Sequence, residues 1–299
     1  MKTWSNGKIV DNKVPIDSFN YSLHYGGPCV WEGIKSYIQE DGTCKIWKLK
    51  EHVHRLKSSA KILGFEIPFT ESQIEQACRD VVEANGNRDL YLRPIAYNSA
   101  DADGIHSSKE NIQLDIYCLP VPTLHSNNGD KGIKVGISCI QRGYPQFQMQ
   151  AKTPGNYCML PQIRNQMKAL GVDDMLLVDN YGYVVEASVA NIMVITGDAI
   201  TTPPNNGSIL PGITRQVIAE IINNKALMIT KYKKLPILVE KQITKADIYN
   251  ADCIILCGTY AEIVLVSEVD QRVIGNDSDH FYFKVLKSEY ASLTRGRTK

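Results

Sequence analysis

The sequence contains no Cys-x-x-Cys pair and no histidine at zinc-finger spacing, so its eight cysteines (29, 44, 78, 118, 139, 158, 253 and 257) do not read as zinc ligands and no metal is expected. They are scattered through apolar stretches, which predicts mostly small buried hydrophobes. The 21 glycines include no G-x-G-x-x-G and no Walker sequence, and this removes the dinucleotide and P-loop readings. No apolar run approaches the ~20 residues of a membrane span, and the opening Met1-Lys2-Thr3-Trp4-Ser5-Asn6-Gly7-Lys8 has no apolar signal segment. Charge of one sign is also missing: 33 Lys and Arg are interspersed with 32 Asp and Glu, for a net +1. Neither nucleic acid nor an anionic membrane is therefore an expected partner, and a cytoplasmic protein is expected.

What is present fits a globular protein, with 43% hydrophobic and 22% charged residues in 299. That length predicts two domains. The most loop-like stretch, His125-Ser126-Asn127-Asn128-Gly129-Asp130, suggests a small N-terminal α+β domain over 1–122, a linker over 123–131 and a larger C-terminal domain over 132–299. Val53, Leu56, Ala60 and Leu63 recur at helical spacing, and Thr70-Glu71-Ser72-Gln73 is a capping box opening a second helix. Leu90–Tyr97 alternates as a strand, which places Tyr91 and Arg93 on one face. Short strands in series beyond residue 132, interrupted by a few helices, predict an α+β fold with mostly antiparallel sheet. His24-Tyr25-Gly26-Gly27-Pro28 reads as a tight turn.

The chemistry centres on Ala151-Lys152-Thr153-Pro154-Gly155-Asn156-Tyr157, where a lysine is held by a Pro-Gly turn. Leu210-Pro211-Gly212-Ile213-Thr214 feeds a turn directly into a helix, pointing free backbone N–H groups at one spot suited to phosphate. Arg55 lies beside a helix stripe, Glu186 in a strand, and Gly258-Thr259-Tyr260 forms a further turn with hydroxyl and backbone donors. Each has a bland alternative: a solvated lysine, an ordinary helix start, a surface arginine. Together they suit pyridoxal phosphate (PLP), which requires a lysine, phosphate donors and an acid at its ring nitrogen.

On these residues, with His24-Tyr25-Gly26, Trp31-Glu32-Gly33-Ile34, Glu51-His52 and Tyr91-Leu92-Arg93-Pro94, nearly the whole chain resembles the fold type IV (class IV) PLP-dependent aminotransferases, and within them the branched-chain amino acid aminotransferases. The resemblance implies Lys152 as Schiff-base lysine and proton shuttle, Glu186 at the pyridine nitrogen, with Asn191 beside it, and Tyr157 at the ring hydroxyl. It implies a phosphate site from Arg55, Ile213, Thr214 and Thr259. It also implies a substrate site from Tyr25, Trp31, Tyr91, Arg93, Thr259 and Tyr260, with Arg93 reading the distal carboxylate of glutamate. The expected reaction moves an amino group from a branched-chain or other aliphatic L-amino acid to 2-oxoglutarate, in a homodimer or higher homo-oligomer.

The chain departs from the family at Trp31, where a phenylalanine is usual, at Tyr260, where a small residue is usual, and after Pro120, where the usual loop tryptophan and tyrosine are absent. Ala190-Asn191 resembles aminodeoxychorismate lyases. A D-amino acid transaminase, an amine transaminase and a lyase thus stand as alternatives within the fold, and a cofactor-free binding protein outside it.

Overall fold

A computed structural model describes all residues except 12, 106–109, 122–130, 143–148, 225–235, 276–279 and 297–299. Positions 123–130 of the predicted linker, with His125, lie outside the described residues. The chain divides into two compact units, Met1–Pro122 with Gln150–Cys158 and Thr294–Arg297, and Thr123–Met149 with Met159–Leu293 and Thr298–Lys299. Lys152 therefore belongs to the first unit and not, as the sequence reading has it, to the C-terminal domain. The physical reason is a pair of long-range contacts: the Trp31 N–H donates to the Lys152 carbonyl at 3.0 Å, and the Lys152 N–H donates to Ser59 Oγ at 3.0 Å.

The first unit is built on an antiparallel sheet of β1 (Lys2–Ser5), β2 (Lys8–Asp11), β3 (Cys29–Trp31), β4 (Ile34–Ile38), β5 (Cys44–Ile46), β6 (Leu90–Asn98) and β7 (Ile112–Pro120). The order is β2-β1-β7-β6-β4-β5, with β3 also on β6. Alternation sorts its two faces. Leu90, Leu92 and Ala96 of β6 join Leu114, Ile116 and Cys118 of β7 in the core, covered by helices α2 (Leu49–Ile62) and α3 (Glu71–Ala84). Their stripes bury Val53, Leu56, Ala60, Ile74, Cys78 and Val81 at 0 or 1% exposure, each large aliphatic contributing about 1.5–3 kcal/mol of transfer free energy. Helix α3 starts on the expected capping box, with Thr70 Oγ1 accepting from the Gln73 N–H and Gln73 Oε1 accepting from the Thr70 N–H. The opposite face of β6 carries Tyr91 and Arg93.

The turn expected at His24–Pro28 is in part a short helix, α1 (Tyr21–Tyr25). Asn20 caps its start and Gly26, at φ 74°, ends it in the left-handed region. Five residues flanked by Gly-Gly-Pro carry no periodicity that would reveal a helix.

In the second unit the strands are β8 (Ile133–Gln141), β9 (Asp174–Val178), β10 (Val184–Ala187), β11 (Asn191–Thr196), β12 (Ala199–Thr202), β13 (Ile237–Glu240), β14 (Cys253–Gly258), β15 (Glu262–Val269) and β16 (Arg272–Val273). Because β10 pairs with both β9 and β11, strands β10-β9-β8-β15-β14-β11 close into a ring. Its interior is aliphatic, with Val135, Leu176, Ile192, Ile254 and Val266 all at 0% exposure. Pairings β8 to β9, β8 to β15 and β12 to β13 are parallel; the rest are antiparallel. Helix α4 (Leu160–Leu170) buries Ile163, and α5 (Ile213–Asn223) buries Val217, Ile218, Ile221 and Ile222. Helices at Lys245–Tyr249 and Phe281–Arg295 complete the described chain. Most cysteines, 29, 78, 118, 253 and 257, are buried, whereas Cys139 and Cys158 are exposed.

Candidate active site

In the first unit the Pro-Gly turn is a 3-10 turn, Pro154–Tyr157, and Asn156 locks it by donating to the Ala151 carbonyl at 2.8 Å. This turn sends Tyr157 back over Lys152, whose Nζ donates to the Tyr157 hydroxyl at 2.9 Å. The same amine lies 4.1 Å from the centroid of the Trp31 ring, and the Trp31 and Tyr157 rings are 5.2 Å apart. Arg93 reaches the Trp31 ring as well, with its guanidinium carbon 4.3 Å from the centroid and 5.5 Å from that of Tyr91. Tyr117, its register partner on β7, supplies a further phenol. Gly33 is required here because a Cβ would overlap the Tyr91 hydroxyl. Tyr25 is 42% exposed and packs on Tyr21 and His24 of its own helix.

Arg55 projects from α2 onto Glu32. The pairing is bidentate, Nε to Oε1 at 2.6 Å and Nη2 to Oε2 at 2.9 Å, and His52 Nδ1, one turn earlier, reaches the same Oε2 at 2.8 Å. Glu32 has 0% exposure. Burial alone would raise its carboxyl, but the charge and hydrogen bonds of Arg55, with those of His52, outweigh burial and hold it far below the usual carboxylate range. Burial pushes His52 the other way, below the ordinary imidazole value, against the pull of Glu32. Both groups destabilise the fold in acid. A depressed carboxyl contributes stability above its unfolded value that is lost as pH falls through the folded one, and a depressed imidazole disfavours folding once the unfolded chain takes up its proton. Sequence reading gave Glu32 and His52 no role, although a helix bearing His and Arg three residues apart is a signal for a shared buried acid. Glu32→Gln is expected to lower unfolding free energy by about 2 kcal/mol, since it leaves Arg55 incompletely compensated. Urea denaturation at pH 7 measures this, and an unchanged midpoint would show that Arg55 finds another partner.

The second unit contains a second buried constellation. Glu186 on β10 and Arg142 after β8 are 3% and 2% exposed, with Oε1 and Nε 2.5 Å apart. The approach is off hydrogen-bond alignment for that atom pair, so it is an ion pair. Asn191, facing Glu186 across the β10–β11 pairing, donates from Nδ2 to Glu186 Oε2 at 3.2 Å and to the Leu210 carbonyl at 3.1 Å. Asn191 thus ties the acid to the turn that starts α5. That turn must be glycine at 212, where a Cβ would collide with Asn191 Oδ1. Among the described residues no side chain caps α5, so Ile213 and Thr214 of its first turn sit uncapped at the positive end of the helix dipole. Arg215 points away and is used structurally, bonding Thr202, the Pro203 carbonyl and Glu240. Thr259 and Tyr260 occupy the turn between β14 and β15, and a Cβ on Gly258 would touch the Val189 carbonyl and Ala190, just before Asn191. Arg142 is a further residue that sequence reading missed; a lone arginine just after an alternating strand is its only sequence signal.

Each unit carries groups of a kind that PLP requires: in the first an amine beside a phenol, in the second an acid buried and anchored from two sides and uncapped helix N–H groups on a glycine turn. The chain belongs to the class IV amino-transferases, PLP-dependent aminotransferases whose family pattern it matches over residues 30–269. Among its relatives it is similar to the branched-chain-amino-acid aminotransferase of Pseudomonas aeruginosa, at 30% identity over 99% of this chain and 94% of that one. Among solved structures it resembles the branched-chain aminotransferase of Thermoproteus uzoniensis with norvaline, at a TM-score of 0.90 and 28% identity, covering 100% of this chain and 96% of that one. It also resembles the T.th. branched-chain amino acid aminotransferase complexed with N-(5'-phosphopyridoxyl)-L-glutamate, at a TM-score of 0.88 and 30% identity, covering 99% and 95%.

Proposed function

We propose that this aminotransferase moves the amino group of a branched-chain or other small aliphatic L-amino acid to 2-oxoglutarate, giving the 2-keto acid and L-glutamate. The observation that carries the reading is Arg93. Its guanidinium shares the Trp31 ring with the Lys152 amine, and no described carboxylate pairs with it. Such a cation, half-buried next to a reacting amine, suits the distal carboxylate of a dicarboxylic substrate. The phosphopyridoxyl-L-glutamate bound by the T.th. neighbour supports glutamate, and norvaline in the Thermoproteus uzoniensis structure supports aliphatic donors.

Bound PLP supplies an electron sink for the pair left at the substrate α-carbon. In this reading Lys152 Nζ would hold the cofactor and would carry the proton at the substrate α-carbon, while the Tyr157 phenol orients that amine. Glu186, paired with Arg142 and oriented by Asn191, would hold a proton on the pyridine nitrogen. Arg55, the Ile213 and Thr214 N–H groups and the Thr259 hydroxyl would hold its phosphate. Tyr25, Trp31, Tyr91 and Tyr260 bound the substrate, and the bulk of Trp31 and Tyr260 favours valine over phenylalanine, since pocket volume discriminates by about 1–3 kcal/mol per methylene. A cytoplasmic homodimer completes the reading; no helix among the described residues is long and apolar enough to cross a membrane.

The test is 2-oxoglutarate-dependent formation of L-glutamate from valine by the PLP-loaded protein. Pyruvate released from aminodeoxychorismate without a keto acceptor would instead mark a lyase. Arg93→Ala is expected to raise KM for 2-oxoglutarate about 30-fold, equivalent to about 2 kcal/mol for a charge-assisted bidentate pair, and to change that for 4-methyl-2-oxopentanoate less than about threefold. Equal losses for both acceptors would remove Arg93 from its role.

A further inference from the structure

Trp31 stands where the resemblance leads one to expect a smaller ring, and its position implies more than a narrower pocket. Its backbone N–H bonds the Lys152 carbonyl at 3.0 Å, so the residue is fixed to the lysine's own backbone. Its indole then carries two cations, Lys152 Nζ at 4.1 Å and the Arg93 guanidinium at 4.3 Å from one centroid. Next in the chain, Glu32 accepts from Arg55 and its N–H donates to the Pro94 carbonyl at 2.9 Å, which anchors the tripeptide Trp31-Glu32-Gly33 against β6 on the other side. The backbone that carries the ring is thus held on both sides.

A guanidinium lying on an aromatic face keeps its N–H edges available, because the attraction acts through the planar face while the hydrogens point outward in the plane. Indole is the strongest such platform among the aromatic side chains. Arg93 has long rotatable stem bonds whose ordering opposes binding, so a platform that orders it beforehand strengthens carboxylate capture.

We propose that Trp31 is a positioning residue for dicarboxylate recognition: one indole orders the Arg93 guanidinium and sets its distance from the Lys152 amine. This deepens the transaminase reading above and rests on it. It also opposes the simpler view of Trp31 as a plug. A plug removed should admit bulkier aliphatic acids and leave dicarboxylates alone; a platform removed should weaken dicarboxylates selectively.

The experiment uses the PLP-loaded protein and two unreactive five-carbon acids, glutarate and pentanoate, with binding followed by the cofactor absorbance and by indole fluorescence. Trp31→Phe keeps a weaker ring and Trp31→Leu keeps none; both retain the backbone N–H. Glutarate Kd is expected to rise about threefold in Trp31→Phe and about tenfold in Trp31→Leu, with pentanoate within twofold of the parent in both. Glutarate unchanged with pentanoate tightened would overturn the proposal in favour of a plug, and equal weakening of both acids would overturn it in favour of general damage to the site. Arg93→Ala separates the two levels. If that variant loses glutarate while both Trp31 variants keep it, the platform fails and the transaminase reading stands; if Arg93→Ala itself keeps glutarate, the dicarboxylate reading fails first.

Discussion

Lys152→Ala is expected to reduce kcat by about four orders of magnitude or more while leaving the fold intact. The size follows from what one amine does. It holds the cofactor in place and serves as acid and base at the substrate α-carbon, and a positioned proton carrier alone is worth about 10²–10⁴-fold. The selectivity of the damage follows from its surroundings. Lys152 is held by its backbone, through Trp31 and Ser59, and by the 3-10 turn after it, none of which uses the side chain. Its Nζ contributes one bond to Tyr157 and a contact with Trp31, both half-buried, so a melting temperature within a few degrees of the parent is expected. Single-turnover measurement of valine deamination with excess protein checks the first part and a thermal melt the second. Transamination retained in this variant would show that another lysine carries the reaction.

Glu186→Gln is expected to slow proton removal from the substrate several hundredfold while PLP still binds, because an amide does not hold a proton on the pyridine nitrogen. In this chain the substitution has a second effect. Arg142 and Glu186 are almost fully buried as a pair, so neutralising one leaves the other's charge uncompensated, at a cost of about 3 kcal/mol. The two effects separate in a double variant. Arg142→Met with Glu186→Gln is expected to recover much of the lost stability but none of the lost rate. Rate and stability recovering together would mean that Glu186 acts only as a structural partner of Arg142.

Local chemistry was largely legible in the chain. The alternation of β6 placed Tyr91 and Arg93 on one face, the capping box marked α3, and the Pro-Gly pair predicted the turn that presents Lys152. Each signal is written within a few neighbouring residues, where backbone geometry is decided. What escaped is non-local. Glu32 is 23 residues from Arg55, and Arg142 is remote from Glu186, so no spacing rule links either pair. A buried charge announces only that it needs a partner, and the topology chooses which. Assignment of Lys152 to the first unit was hidden for the same reason, since two backbone hydrogen bonds to distant residues decide it.

The ring of the second unit closes through a single facing pair, Glu186 with Asn191. A hoop fastened at one place has a clasp, and here the clasp is made of the acid proposed to meet the cofactor's ring nitrogen and the amide that orients it. Architecture and proposed chemistry therefore draw on the same contact: the strand pairing that closes the hoop also sets Asn191 against the acid.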